Sequence, residues 1–461
     1  MSLIRLPAAG LFCVGALWAQ LSPTTQSAID QAVAKVVAET GAPSASLAIV
    51  KDSKLVYVHA YGNGRLQPPT PARPEMRYKI ASNSKQFLAA LVVRLAAENK
   101  LSLDDPVSKY FPELTRASEV TLRQLLSHTS GYQDCAPLDY LPPALLRPIT
   151  PQGILDIWAK KPLDFDPGTK WQYSNTNYTI AGLIAEKATG KGVIELLRAR
   201  FFEPLGLTTA MDVDHQPWSE ADPTGYTRYA LGPPRVAPIE GKGWMFAGWE
   251  LAMTASDLAR WDLSLLDAAL LKPAEIRTLT TEVQLKNGTG TGYGLGFYVS
   301  SRGGHLKWSH GGEASGFVSS NFILPEQKIA AAILTNQDDG TASRISAQIE
   351  KLLTQADDPG EAEALDRAKR LFAGLQQGTV DRTLLTTDAN AYFTTEVIAD
   401  FAASLKALGA PTAFSQTAMT LRGGMVHRTF QIRTASKTLS VNTFLMPDGK
   451  YAQFLISPAQ N

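Results

Sequence analysis

Ser82 and Lys85 stand three residues apart in KIASNSKQFLAALVVRLAAENK, residues 79–100, with Ser84 between them, where an apolar helical pattern begins. Leu88, Leu91, Val92 and Leu95 recur at i, i+3, i+4 and i+7, so the segment reads as a core helix. Its first turn would then carry a hydroxyl and an amine side by side on one face. A serine hydroxyl is a weak nucleophile until a base takes its proton. A lysine buried in a dry cleft loses basicity and can do that, or can poise a neighbour electrostatically. A helix N-terminus also favours the anion that develops on attack. The chemistry within reach is acyl transfer through a covalent ester. One Ser-x-x-Lys arises by chance in a chain of this length, so the pair gains its weight from company.

That company is found in two places. FDPGTKWQYSNTNYTIAGLIAEKATG puts Tyr173, Ser174 and Asn175 on a loop before an amphipathic helix. LKWSHGGEASGFVSSNFIL puts His310, Gly311 and Gly312 at the end of one strand, with the next strand following. No serine lies in a G-x-S-x-G turn, which argues against an α/β-hydrolase elbow. His59, His215, His305 and His427 show no ligand spacing such as H-E-x-x-H, so no metal site and no cofactor is expected. His128, in SHTSG, reads as a structural hydrogen bonder.

The elements that must position these residues follow from the patterning. SPTTQSAIDQAVAKVVAET opens with cap-type residues and a proline and places Ile29, Val33 and Val36 on one helical face. SASLAIVKDSKLVYVHAYG is two strand-like runs around the polar turn Asp52-Ser53-Lys54. Helical segments and long Pro/Gly loops fill about residues 83–290. Strand signals return in YGLGFYVS, HLKWSH, GFVSSNFILPE and KIAAAILTNQ, and ASRISAQIEKLLTQA is helical. The expected fold is α+β: an antiparallel sheet built from both ends, covered by the terminal helices, with a mostly helical insertion beside it. ADDPGEAEA looks like a linker, LDRAKRLFAGLQQG is amphipathic, and the last forty residues alternate as a meander. The expected divisions are 1–19 signal peptide, 20–355 catalytic domain, 356–363 linker and 364–461 a small α+β domain.

The chain has 461 residues, with 44 Lys plus Arg against 43 Asp plus Glu, so no basic excess points to nucleic acid. The start, with one arginine, an apolar run and Ala19 before Gln20, reads as an export signal. Export implies a periplasmic or secreted protein with no membrane span after cleavage and only Cys135 left, hence no internal disulfide.

On these residues, with LLSHTSGY, GYTRYA, LAMTASDLARW and YGLGFYV in support, the chain resembles the serine β-lactamase and penicillin-binding-protein superfamily. The likeness is to its class C β-lactamase, D-alanyl-D-alanine carboxypeptidase and esterase branch. It implies the β-lactamase/transpeptidase-like fold, with Ser82 as nucleophile, Lys85 as its activator and Tyr173 as general base. The phenol is expected to lose its proton more easily beside an ammonium. Asn175 would bond the substrate amide, and the Ser82 and Glu313 backbone N–H groups would form the oxyanion hole. Gly311 and Gly312 would let their strand approach the substrate.

His310 stands where the family's third motif has lysine. An unperturbed imidazole is mostly neutral near pH 7, so carboxylate-bearing substrates should be poorly held, less poorly as pH falls from about 8 to 6. Its ring is expected to bond Ser82, Tyr173 or substrate. The function expected is hydrolysis of small esters, or of D-amino-acid amides and peptides, ahead of β-lactams. A class C-like β-lactamase and a catalytically silent penicillin-binding sensor remain the alternatives.

Overall fold

The computed structural model describes residues 21–138, 140–302, 305–354 and 360–459. The expected signal peptide and Cys13 lie outside them, as do residues 355–359 of the expected linker region. The chain forms two compact units, residues 1–355 and 356–461.

The first unit is built on a seven-stranded antiparallel sheet. In chain order its main elements are α1 (Pro23–Thr40), β1 (Ser44–Lys51), β2 (Lys54–Leu66), β3 (Pro69–Pro71), α2 (Ser84–Ala97), α3 (Asn175–Thr189) and α4 (Ala255–Leu266). There follow β4 (Tyr298–Arg302), β5 (His305–Ala314), β6 (Phe317–Leu324), β7 (Ile329–Thr335) and α5 (Thr341–Thr354). Strand order is β3-β2-β1-β7-β6-β5-β4, so strands from the two ends of the unit meet at the β1–β7 pair, with Ala45 opposite Thr335.

Both faces of the central strands are covered. Leu47, Ile49 and Ile333 face a cluster with Ile29, Val33 and Val36 of α1 and Ile345 and Ile349 of α5. Ala48, Val50 and Ala332 point the other way, into the core of the helical insertion. Helix α1 starts as its sequence dictates, with the Ser22 side chain accepting from the Thr25 amide, Pro23 in the first turn and Gly41 closing it at φ 67°. The β1–β2 turn is tighter than expected: Asp52 and Ser53 alone form it, both at positive φ, and Lys54 already belongs to β2.

Helix α2 is the centre of the insertion. Every residue from Ser84 to Val93 is buried, so the stripe of Leu88, Leu91, Val92 and Leu95 is only one of its apolar sides. Phe87 stacks on Trp261 of α4 with ring centroids 4.4 Å apart. In YGLGFYVS only the end is strand: Gly296 adopts φ 79° and β4 begins at Tyr298.

The second unit contains α6 (Glu361–Gln376), α7 (Thr387–Tyr392) and α8 (Thr395–Lys406), then β8 (Ala413–Arg422), β9 (Met425–Arg433), β10 (Thr438–Leu445) and β11 (Tyr451–Pro458), paired in that order. Its own core includes Leu371, Phe372, Phe430, Val441 and Phe454. Residues 361–363, expected in the linker, form the first turn of α6. Strand β8 and helices α7 and α8 carry no expectation from the sequence. No helix among the described residues is long and apolar enough to cross a membrane.

Candidate active site

Ser82 does not lie in the first turn of α2, as its spacing from Lys85 suggests. It sits in a 3-10 turn, Ala81–Asn83, that leads into the helix, and it is half-exposed while its neighbours are buried. Ala81 holds φ 48°, a left-handed conformation that costs a residue with a Cβ on the order of 1 kcal/mol. A buried polar network holds this turn. The Ile80 carbonyl accepts from the Asn83 amide (3.1 Å) and from Ser319 Oγ (2.7 Å). Asn83 Nδ2 donates to Ser319 Oγ, and Gln86 Nε2 donates to both Asn83 Oδ1 and Asn321 Oδ1. Asn321 in turn donates to Asp262 Oδ2 at 2.6 Å. Burial pushes the Asp262 carboxyl well above its usual range, which favours its neutral form, and its Oδ1 has no hydrogen-bond partner among the described residues.

Lys85 is fully buried, and its Nζ meets three oxygens: Asn175 Oδ1 at 2.8 Å, the Gly248 carbonyl at 3.1 Å and Ser82 Oγ at 3.1 Å. Burial lowers its pKa to about 7 against the raising field of Asp134. The amide and the carbonyl can only accept, so they must take N–H bonds. The hydroxyl of Ser82 alone can either accept or donate. A neutral amine therefore satisfies both acceptors and turns its lone pair to the serine.

Asn175 opens α3, and its amide is more fully committed than the sequence expects. Oδ1 serves Lys85, while Nδ2 donates to Asp134 Oδ1 at 3.1 Å. The same Asp134 oxygen accepts from the Asn175 backbone amide at 2.9 Å, an acid at a helix N-terminus. Asp134 thus fixes which end of the Asn175 amide faces Lys85, and Asn175 also lines the cleft. The sequence offers no motif for Asp134, which sits in the proline-rich loop after SHTSG.

Tyr173 reverses another expectation. Burial raises its phenol well above the ordinary range, with proximity to the Ser82 hydroxyl the one influence that lowers it. Its hydroxyl is buried without a partner in hydrogen-bonding geometry among the described residues. It is therefore a neutral O–H at physiological pH, not a phenolate base. Lys85 Nζ lies 4.9 Å from the centre of its ring. His128 packs on that ring at 4.2 Å, and its Nδ1 accepts from the Ser174 amide at 3.2 Å, the structural role its context suggests.

His310 does not bond Ser82 or Tyr173. Nδ1 faces the Gly311 carbonyl at 2.5 Å and Nε2 faces the Tyr293 hydroxyl at 2.9 Å. A carbonyl only accepts, so Nδ1 carries the proton and Nε2 accepts from the tyrosine. Burial, then the Lys85 charge, push its pKa down to about 3. The gain of charge expected between pH 8 and 6 does not occur, because the ring stays neutral throughout.

Gly312 is required by the protein itself rather than by substrate. A Cβ there would lie 2.1 Å from the Ile80 carbonyl and 2.9 Å from the Ser82 nitrogen, so β5 runs directly against the Ser82 turn. This brings the Glu313 segment beside Ser82. At Gly311 the nearest atom to an added Cβ is the Ser319 carbonyl at 3.6 Å, ordinary contact. The cleft over these groups is lined by Ser82, Tyr173, Asn175 and residues 310–313, with Asp134, Glu240 and Asp338 in its walls. Its described lining includes no lysine or arginine. Among the described residues no group of three or more His, Cys, Asp or Glu is placed to hold a metal ion.

Comparison with known proteins agrees with this arrangement. The family model described as Beta-lactamase matches residues 29–356. A D-aminopeptidase of Brucella anthropi is 29% identical over 324 residues, 68% of this chain and 60% of that protein, so the chain spans well under two thirds of that relative's length. A D-stereospecific amidohydrolase from Streptomyces sp. superposes with a TM-score of 0.61 at 26% identity, over 71% of this chain and 98% of that one. The octameric penicillin-binding protein homologue from Pyrococcus abyssi shares the fold at 19% identity, with a TM-score of 0.63 over 95% of this chain and 96% of its own. Motifs, sheet order and the family match cover the same span, and this chain belongs to the Beta-lactamase family.

Proposed function

We propose that the protein is a serine hydrolase that forms an acyl-enzyme on Ser82, acting on small amides and esters that carry a free amino group and no carboxylate. D-aminoacyl amides and short D-peptides are the first candidates. The observation that carries the reading is the contact of Lys85 Nζ with Ser82 Oγ at 3.1 Å, on an amine whose other two partners can only accept. In its neutral form Lys85 takes the serine proton as Oγ attacks the substrate carbonyl carbon. The oxyanion that forms is met by the Ser82 and Glu313 backbone N–H groups. The Tyr173 hydroxyl, neutral and without a fixed partner, passes a proton toward the departing amine or alkoxide and is re-protonated from Lys85. Water then attacks the Ser82 ester with the same base.

Two observations support the substrate class. The described cleft lining has no lysine or arginine, Glu240 is already paired with Lys79, and the carboxylates left in the walls include Asp134 and Asp338; with His310 neutral, an ammonium is favoured there over a carboxylate. The names of the D-aminopeptidase and the D-stereospecific amidohydrolase point the same way. A β-lactam or a C-terminal D-alanyl peptide brings the carboxylate this cleft does not pair, and a silent sensor has no need of a lysine arranged as a base.

The direct test is labelling by a fluorophosphonate followed by mass spectrometry. The adduct falls on Ser82, and Ser82→Ala abolishes it while lowering kcat by at least ~10³. An adduct on any other serine defeats the assignment. For substrate class, a D-aminoacyl p-nitroanilide should be cleaved about tenfold or more faster in kcat/KM than its N-acetylated form, one ion pair's worth of discrimination. A matched carboxylate-bearing ester should be disfavoured equally at pH 8 and pH 6. Preference for the carboxylate ester, or a preference that grows toward pH 6, contradicts the reading.

The Lys85–Asp134 relation gives a pH prediction. With a neutral ester, kcat/KM should rise through a midpoint near 7 as Lys85 loses its proton. Asp134→Asn removes the anion that raises the Lys85 pKa while leaving an amide oxygen for Asn175. The midpoint should then move to lower pH. A midpoint that stays or moves upward rules out Lys85 as the titrating base.

A further inference from the structure

Glu240 lies in the largely irregular segment between residues 213 and 250, beyond the GYTRYA stretch, yet it is buried and both its carboxylate oxygens are used. Oε2 accepts from Lys79 Nζ at 2.8 Å, a pair in which neither side chain is more than 9% exposed. Oε1 accepts from the Ser315 backbone amide at 2.5 Å. Lys79 stands three residues before Ser82, on the short strand that enters the nucleophile's turn. Ser315 stands two residues after Glu313, in the β5–β6 turn. One carboxylate therefore ties together the two segments whose amides would hold the oxyanion.

The surroundings reinforce this tie. Ala81 and Ala314, the residues next to Ser82 and Glu313, pack in one apolar cluster with Trp244 and Trp249 of the same loop region. Lys79 Nζ also lies 5.9 Å from the ring centre of Phe317, at the far side of the β5–β6 turn. At Gly316, φ is 76° and a Cβ would meet Gly225 backbone at 2.6 Å, so the turn is held from its outer side too. A charged pair in such a setting is held by few alternatives: moving either segment strips a buried charge of its partner.

We propose that Glu240 is a positioning residue that sets the spacing of the Ser82 and Glu313 amides, and through it the stabilisation of the transition state. This rests on the acyl-transfer reading of Ser82. The effect should appear in the chemical step, because a displacement on the order of 1 Å at an oxyanion site costs about 10²-fold in rate while the cleft walls still bind substrate.

The experiment compares wild type, Glu240→Ala, Glu240→Gln and Lys79→Met on a D-aminoacyl p-nitroanilide, with circular dichroism as the check on folding. Binding of a reversible boronic acid transition-state analogue is measured in parallel. Glu240→Ala should lower kcat about 10–100-fold with KM changed less than about threefold, and should weaken the boronic acid in proportion. Glu240→Gln keeps an acceptor for the Ser315 amide but turns an NH2 toward Lys79, so it should recover only part of the loss. Lys79→Met, which frees the carboxylate from its anchor, should fall in between. A folded Glu240→Ala with kcat near wild type, or a loss expressed in KM alone, overturns the proposal. If Glu240→Ala does not fold, an unchanged kcat in Lys79→Met overturns it instead. Fluorophosphonate labelling of wild-type Ser82 is scored first, so a failure of the acyl-transfer reading is seen separately from a failure of this one.

Discussion

The Lys85 amine, buried with no carboxylate in contact, is the constraint on which the rest of the site depends. Holding a lysine in such a place penalises its ammonium form by several kcal/mol, which is what brings its pKa from 10.5 to about 7. An amine so placed still needs acceptors for its N–H groups, and the fold supplies them from three separate places. Asn175 comes from the start of α3, the Gly248 carbonyl from the loop before residue 250, and Ser82 from the turn ahead of α2. The all-round burial of α2 follows from the same demand, since only a helix at the middle of the insertion can bring its first residues under three elements at once. Asp134 works against the burial, at a distance, by keeping a negative charge near the amine and a fixed orientation on Asn175.

As the proposed nucleophile, Ser82 needs the opposite treatment from Lys85. It must face the cleft while its backbone stays still, and Ala81 shows how firmly the turn is held, since a left-handed alanine persists only where its surroundings over-determine it. The Ser319, Asn83, Gln86 and Asn321 network fixes the turn from beneath, with Asp262 at its end, its carboxyl pushed above the usual range by burial. Gly312 lets β5 close on it from the side. The hydrogen bonds among these serine and amide groups hold position without placing a charge beside Lys85.

Much of this was legible in the sequence, for physical reasons that also mark where legibility stops. Ser82 and Lys85 are separated by one helical turn, and that spacing survives even though the serine sits in a 3-10 turn. The β1–β2 hairpin, α1, α5 and strands β5 to β7 announce themselves through periodicity and turn residues. What could not be read depends on burial or on contacts between distant segments. Tyr173 and His310 carry ordinary pKa values in a list of residue types, and only the closed cleft makes the phenol a weaker acid and the imidazole a permanent neutral. Asp134 and the Gly248 carbonyl sit in loops with no pattern, one a single acid among many and the other a backbone group. In the second unit, α7 is only six residues long and a register shift between Gln416 and Ala418 breaks the alternation of β8, whereas α8 does carry a readable signal, Val397, Ile398, Phe401 and Leu405 at helical spacing behind a Thr394 cap.

The central claim is that Lys85 is a neutral base at the pH of the proposed hydrolysis. The most direct measurement is the titration of its side chain by NMR, using protein labelled with 15N at lysine Nζ and assigned through Lys85→Arg. The account predicts a titration midpoint near 7, set apart from the surface lysines near 10.4. A Lys85 resonance that stays an ammonium to pH 9 or beyond would contradict it and return the search for the base to the rest of the cleft.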